Sequence, residues 1–256
     1  MIPARLQSTR LPRKLLLDNT GMPLLAYTIR LAQRAVAVSG GLFREVVVAC
    51  DDSQLIQVAH DAGVRGVLTS DAHPNGTSRI AEAMQAISDS ASHAFVLNLQ
   101  GDQPELLPEA MIQVGAELVA HPLCEMATGA VECASSDAAL FANLSVVKVE
   151  FDSSGCATDF WRQPASNVRA DLTERQTWYR HIGIYAYRAD FLQRYVATPP
   201  SVREQLESLE QLRALEMGAA IRVCLITAEQ AGRAIDTPQD YAEFTDRMRQ
   251  QKAASR

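Results

Sequence analysis

Residues 94–99, Ala-Phe-Val-Leu-Asn-Leu, form a nearly unbroken apolar run that ends abruptly in Gln100-Gly101-Asp102-Gln103-Pro104. A strand with one wet face alternates apolar and polar residues, whereas a run apolar throughout needs cover on both faces. That condition is met where helices pack on either side of a parallel sheet. The polar residues that follow then stand at the sheet's open carboxyl edge, where such sheets bind ligands.

The rest of the first half repeats this logic. Glu45 to Cys50 is a short β-branched run closed by Asp51-Asp52-Ser53, and 54–62 has helical spacing and stops at Gly63. Val64 to Leu68 predicts another strand, Gly76-Thr77-Ser78-Arg79 opens a helix over 80–87, and Pro108 starts one that runs to about Ala120. Strands alternating with helices predict an α/β class with a doubly wound, mostly parallel sheet. After Val131 the texture changes: 145–151 and 156–161, joined by Asp152-Ser-Ser-Gly155, predict a β-hairpin, and 163–177 reads as a polar loop. Tyr179 to Tyr187 predicts a strand with Ile182, Ile184 and Ala186 on one face and His181, Gly183, Tyr185 and Tyr187 on the other. Helices are expected over 189–196 and 202–217, a strand over 221–226 and a last helix from Thr237. With no repeat or linker, 1–256 reads as a single domain carrying an insertion lobe over 132–230.

Charge points to a ligand class. The chain has a net charge of -6, yet Arg5, Arg10, Arg13 and Lys14 precede the first acid, Asp18. Arg forks, a Lys point charge and loop N–H groups are what bound phosphates need, so this loop suits a polyphosphate better than a plain solvated arm. There is no GxxxxGK[ST] or GxGxxG element, which argues against P-loop and dinucleotide chemistry. Cationic charge confined to one loop argues against nucleic acid. Five dispersed cysteines with no CxxC spacing argue against a disulfide framework and a zinc site, and fit a reducing cytoplasm. No run has the ~20 apolar residues of a membrane span.

The motifs together resemble the 3-deoxy-manno-octulosonate cytidylyltransferases. The resemblance rests on Ile2-Pro-Ala-Arg5, Ser8-Thr-Arg-Leu-Pro12 with Lys14, Gly76-Thr77 with Arg79, Asn98-Leu-Gln-Gly-Asp102 with Pro104, Arg180 to Arg188, Leu209-Glu-Gln-Leu-Arg213 and Asp236-Thr-Pro238. These span nearly the whole chain in order. The related sialic-acid enzymes carry a Gly-Ser-Lys element in the first loop, where this chain has Ser8-Thr-Arg10. The resemblance implies a nucleotidyltransferase (Rossmann-like) fold with an inserted hairpin that serves dimerisation, and transfer of CMP from CTP to the anomeric hydroxyl of a 3-deoxy sugar acid, for lipopolysaccharide assembly. It implies Arg5, Arg10, Lys14 and Arg79 around CTP, with Arg5 and Lys14 also catalytic, and Asp102 and Asp236 as catalytic ligands of Mg²⁺. Gln100, Arg162, His181, Tyr185, Glu210 and Gln211 would line the sugar pocket of a cytoplasmic homodimer. Asp51, by contrast, reads mainly as the approach to a helix cap, and Asp236-Thr-Pro238 also reads as a helix start.

Several positions depart from the family pattern. Gln103 replaces a Glu, which removes a charge beside the metal; Trp161 stands in a Phe-Ser-Arg element and the following Ile-Pro is missing, which reshapes the sugar pocket. Ala234 replaces a Gly near Asp236, adding a Cβ where close backbone approach is expected. Only Met1 and Ile2 precede Pro-Ala-Arg, and each apolar residue absent from a central strand forgoes roughly 1.5–3 kcal/mol of burial. The expectation is therefore that the natural protein begins upstream. Competing readings are a cytidylyltransferase for another keto-acid sugar and a CTP-binding protein without catalysis.

Overall fold

The strands and helices alternate as the apolar pattern requires. The computed structural model describes residues 1–87, 94–162 and 177–254. Its first half holds β1 (Ile2–Ala4), α1 (Leu24–Val38), β2 (Val47–Cys50), α2 (Ser53–Asp61), β3 (Arg65–Leu68), α3 (Gly76–Ala86), β4 (Phe95–Asn98) and α4 (Pro108–Ala120). Then follow β5 (Met126–Ala134), α5 (Ala138–Ala142), β6 (Lys148–Phe151), β7 (Ala157–Trp161) and β8 (Thr177–Arg188). The chain continues with α6 (Ala189–Ala197), α7 (Val202–Glu207), α8 (Gln211–Glu216), β9 (Ile221–Leu225), α9 (Ala228–Ala231) and α10 (Pro238–Ala254). Apart from Thr177, the loop expected over 163–177 lies outside the described residues.

The chain divides into two compact units. The first gathers Met1–His93, Asn98–Glu109 and Gly232–Arg256. Its sheet is parallel in the order β1-β2-β3, with Val48 opposite Ile2 on one side and Gly66 on the other. β2 is buried along its whole length, as its Val-Val-Ala-Cys sequence demands. Side-chain caps start the helices where the sequence supplies them: Asp52 accepts from Gln54 N–H at 2.7 Å, and Asn75 from Ser78 N–H at 2.9 Å. α1 is not among the expected elements. It follows Pro23, carries no side-chain cap and has no acid in its first turn, so it lacks the signals that mark a helix start.

The second unit comprises Ala94–Leu97 and Ala110–Ala231. Its sheet runs β7-β6-β8-β5-β9, with β4 also pairing β8. β6 and β7 form the expected antiparallel hairpin, β8 pairs antiparallel with β5, and β5 pairs parallel with β9. The single helix expected over 202–217 is broken in two. A capping box between Ser201 and Glu204 starts α7, but Ser208 takes a left-handed conformation (φ 53°) that ends it. The buried Arg213 then donates to both oxygens of Glu204, at 2.6 and 2.5 Å, and packs over the Tyr195 ring, which fixes α8 against α7. Among the described residues no helix is long and apolar enough to cross a membrane.

Candidate functional site

In the first unit, three polar side chains from distant parts of the chain meet. Lys14, only 8% exposed, sits in a short 3-10 turn after Arg13, and its Nζ lies 2.7 Å from Asp102 Oδ2 and 3.1 Å from Asp236 Oδ1. Two carboxylates that share one ammonium are placed to share a different cation. Among the described residues no group of three or more Asp, Glu, His or Cys gathers around a common point. Two carboxylates could hold a hard ion such as Mg²⁺, which takes one or two carboxylates and completes its shell with water and substrate phosphate oxygens.

The backbone around the pair is held from several directions. Ile235 N–H donates to the Asp102 carbonyl at 2.9 Å, so the two aspartate segments are tied directly. Thr28, fully buried on α1, donates its hydroxyl to the Gly101 carbonyl at 2.9 Å. A Cβ at Gly101 would lie 3.2 Å from the Pro3 carbonyl oxygen and 3.3 Å from Leu15 Cδ1, so the turn that presents Asp102 leaves little room for a side chain. Asp240 is the support that the sequence reading omits. Its Oδ2 accepts from Asp236 N–H at 3.0 Å, Thr237 N–H at 2.7 Å and Thr237 Oγ1–H at 2.8 Å, while Thr237 Oγ1 accepts from Asp240 N–H at 3.2 Å. This is a capping box, and its Thr-x-x-Asp spacing is a signal visible in the sequence. The helix-start reading of Asp236-Thr-Pro238 and the metal reading are thus compatible: the cap aims the carboxylate. The crowding expected at Ala234 is not found there, because Ala234 is exposed. It falls at Gly232, where a Cβ would lie 2.2 Å from the Glu105 carbonyl oxygen.

The cationic loop divides by role. Arg10 reaches Asp236 Oδ1 at 2.9 Å, Arg13 turns to Gln54 Oε1, and exposed Arg5 has no hydrogen-bond or ion-pair partner among the described residues. Arg79, expected at CTP, is 3% exposed; it pairs with Asp51 Oδ2 at 3.1 Å and donates to Thr69 Oγ1 at 2.7 Å and the Ser70 carbonyl at 3.2 Å. Asp51 Oδ1 in turn accepts from Leu6 N–H at 2.9 Å. Asp51 lies, as expected, between the end of β2 and the Asp52 cap of α2, and it also anchors the start of the cationic loop to Arg79. Gln100 Nε2 donates to Asn98 Oδ1 at 3.2 Å, and the Asn98 Nδ2 and Gln103 Oε1 atoms are buried without a partner.

In the second unit, β8 carries an aromatic row on which most of the expected sugar residues converge. His181 stands edge-on to Phe160 at 5.1 Å and beside Tyr185 at 5.4 Å, with Tyr187 next in line. Tyr185 donates to Gln211 Oε1 at 3.2 Å, and Gln211 Nε2 is buried without a partner. Burial, with the Arg162 charge nearby, pushes the His181 pKa down to about 3, so the ring is neutral; burial also drives the Tyr185 phenol well above its usual range. Glu210 immediately precedes α8, without a side-chain capping hydrogen bond, and accepts the Tyr195 hydroxyl on its carbonyl at 2.9 Å. Arg162 donates to the Glu207, Leu144 and Ser145 carbonyls. Its own carbonyl accepts at 3.0 Å from Lys148 Nζ, which also reaches the Asn143 and Val146 carbonyls and lies over the Phe141 and Trp161 rings. Trp161 is 3% exposed and donates to Glu150 Oε1 at 3.2 Å, so this departure from the family pattern is a packing residue. Gln163 and Pro164 lie outside the described residues.

Comparison with known proteins follows the same lines. A family model described as cytidylyltransferase matches residues 1–221. A 3-deoxy-manno-octulosonate cytidylyltransferase of Polynucleobacter necessarius is 44% identical over 257 residues, covering 100% of this chain and 95% of the relative. One from Acidithiobacillus ferrooxidans is 40% identical, covering 96% and 97%. Among solved structures, CMP:2-keto-3-deoxy-manno-octonic acid synthetase complexed with CTP superposes with a TM-score of 0.85 at 34% identity, covering 98% of this chain and 97% of that one. The α/β nucleotidyltransferase fold is therefore the fold of this chain.

Proposed function

The chain belongs to the cytidylyltransferase family, and on that premise we propose that it transfers CMP from CTP to the anomeric hydroxyl of 3-deoxy-manno-octulosonate, releasing pyrophosphate. The observation that carries this reading is the junction of Lys14 with Asp102 and Asp236, which brings one cation and two carboxylates together from distant parts of the chain. The named activities of relatives 44% and 40% identical over nearly the whole chain support the choice of substrates.

The anomeric oxygen attacks the α-phosphorus in line as pyrophosphate leaves, so the protein's work is positioning and charge neutralisation. Arg5, Arg10 and Lys14 neutralise the triphosphate, while Asp51 and Arg79 hold the loop that carries them. Asp102 and Asp236 would hold Mg²⁺, which would neutralise phosphate charge during the transfer. His181, Tyr185, Glu210, Gln211 and Arg162 take the sugar acid. The reading extends to a homodimer, which light scattering checks, and to the cytoplasm, with which the free cysteines agree.

The experiment is pyrophosphate release from CTP with Mg²⁺ against octulosonate, its amino analogue and sialic acid. Octulosonate is expected to turn over fastest; preference for another acid reassigns the acceptor, and no release with any of them refutes the function. Asp102→Ala or Asp236→Ala is expected to lower turnover by about a hundredfold or more. Near-normal release from either variant would remove the metal assignment.

A further inference from the structure

Thr128 is fully buried in β5, where the ladder to β8 shifts register between Thr128 and Gly129. Its hydroxyl oxygen lies 2.9 Å from His181 Nε2, 2.8 Å from the Ile184 carbonyl oxygen and 3.3 Å from the Ile182 carbonyl oxygen. A hydroxyl has one hydrogen, and carbonyls only accept. If that hydrogen pointed at His181, the Ile184 carbonyl would meet a bare lone pair at hydrogen-bond distance, an arrangement that is costly in a dry interior. The hydrogen therefore goes to the carbonyls, chiefly Ile184, and the hydroxyl accepts from the ring.

From this geometry we infer that Thr128 is a positioning residue that holds His181 in its Nε2–H tautomer, so that Nδ1 faces the sugar acid as a neutral acceptor for one of its hydroxyls. Among the described residues Nδ1 has no hydrogen-bond partner. Phe160 and Tyr185 flank the ring and oppose the rotation that would exchange its two nitrogens. Burial keeps the ring neutral, so the acceptor lone pair persists through physiological pH. Gln211 supplies the complementary group, a buried Nε2 donor left without a partner while Tyr185 occupies its Oε1. One neutral acceptor and one neutral donor suit the hydroxyls of a sugar. The ligand assignment rests on the proposed function; the tautomer does not.

The test is a long-range ¹H–¹⁵N correlation spectrum of the ¹⁵N-labelled full chain, with the His181 signals assigned by their loss in His181→Gln. The expected pattern is a protonated Nε2 and an unprotonated Nδ1, preserved in Thr128→Ser and lost or mixed in Thr128→Val. In pyrophosphate release, Thr128→Val is expected to raise KM for octulosonate about three- to tenfold, the worth of one hydrogen bond, with kcat and the KM for CTP unchanged. Thr128→Ser restores the octulosonate KM. A wild-type ring protonated on Nδ1 overturns the inference, as does equal impairment of the Val and Ser variants, which would mark Thr128 as packing only. A chain that turns over no sugar acid loses the ligand assignment together with the proposed function, while its spectrum still decides the tautomer.

Discussion

Asp240→Ala removes the carboxylate that aims Asp236 without touching either member of the carboxylate pair. One oxygen of Asp240 accepts three hydrogen bonds, from Asp236 N–H, Thr237 N–H and the Thr237 hydroxyl. Two of these belong to the cap of α10, whose loss costs about 1–2 kcal/mol. For a chain of this length each kcal/mol moves the midpoint by about 2–4 °C, so a fall of about 2–8 °C is expected at pH 7. Freed from its tether, the Asp236 segment is expected to lose about tenfold in kcat/KM, or about 1.4 kcal/mol, and to need more Mg²⁺ for half-saturation. The acid side carries a further signature. Burial opposes ionisation of Asp240, but hydrogen bonds from the Thr237 side chain and backbone and from Asp236 N–H outweigh it and hold the carboxyl below its usual range. A carboxyl lowered in the folded state stabilises fully above its unfolded pKa, and that stabilisation fades as pH falls through the lowered value. The deficit of Asp240→Ala should therefore be complete at pH 7 and shrink below about pH 4. Thermal melts across pH, paired with pyrophosphate release titrated with Mg²⁺, measure both effects. A midpoint within about a degree of wild type, or a deficit equal at pH 7 and in strong acid, would refute the reasoning.

Gly232→Ala forces a Cβ into the Glu105 carbonyl at φ 57° and should destabilise by more than about 2 kcal/mol in urea, whereas Ala234→Gly, on an exposed residue, should change stability by less than about 1 kcal/mol. His181, neutral in the folded chain down to about pH 3, takes a proton on unfolding below its ordinary 6.5, so it makes stability fall as pH drops from about 6.5 toward 3, by about 1.4 kcal/mol per unit. His181→Gln should flatten that part of the stability profile; an unaltered slope would count against the assigned protonation. In a native thiol titration Cys156, the one cysteine not fully buried, should react first, with Cys50 and Cys224, whose thiols burial pushes up to about 12, reacting only on unfolding.

Apolar runs and turn residues made the strands and most helices legible: β2, β4 and the β6–β7 hairpin lie where their patterns put them, α2 follows its capping Asp, and α3 opens at Gly76. α1 was not legible because its first turn follows a Pro with no cap, although it supplies Thr28 to the Gly101 turn. The break at Ser208 was hidden because the left-handed backbone there is taken by a Ser rather than by the Gly that marks such a position in a sequence. At the site, the motifs single out Lys14, Asp102 and Asp236 one by one, but their ion pairs and the internal pairing of Arg79 with Asp51 were not legible, since charge alone cannot tell a ligand-facing side chain from an internally paired one. Thr128 carries no pattern at all; its role comes from a shift of register that only pairing with β8 creates.

The hydrogen bond from Ile235 to Asp102 also bears on biogenesis. Unit two is nearly continuous, from 110 to 231, and most of its pairings are available once that stretch has left the ribosome. The carboxylate pair joins positions 102 and 236, so the pairing is of high contact order and its loop must close late. A nascent chain can thus carry a folded second unit while the segments of the first are still apart, and the carboxylate pair assembles only with the emergence of Gly232 to Tyr241.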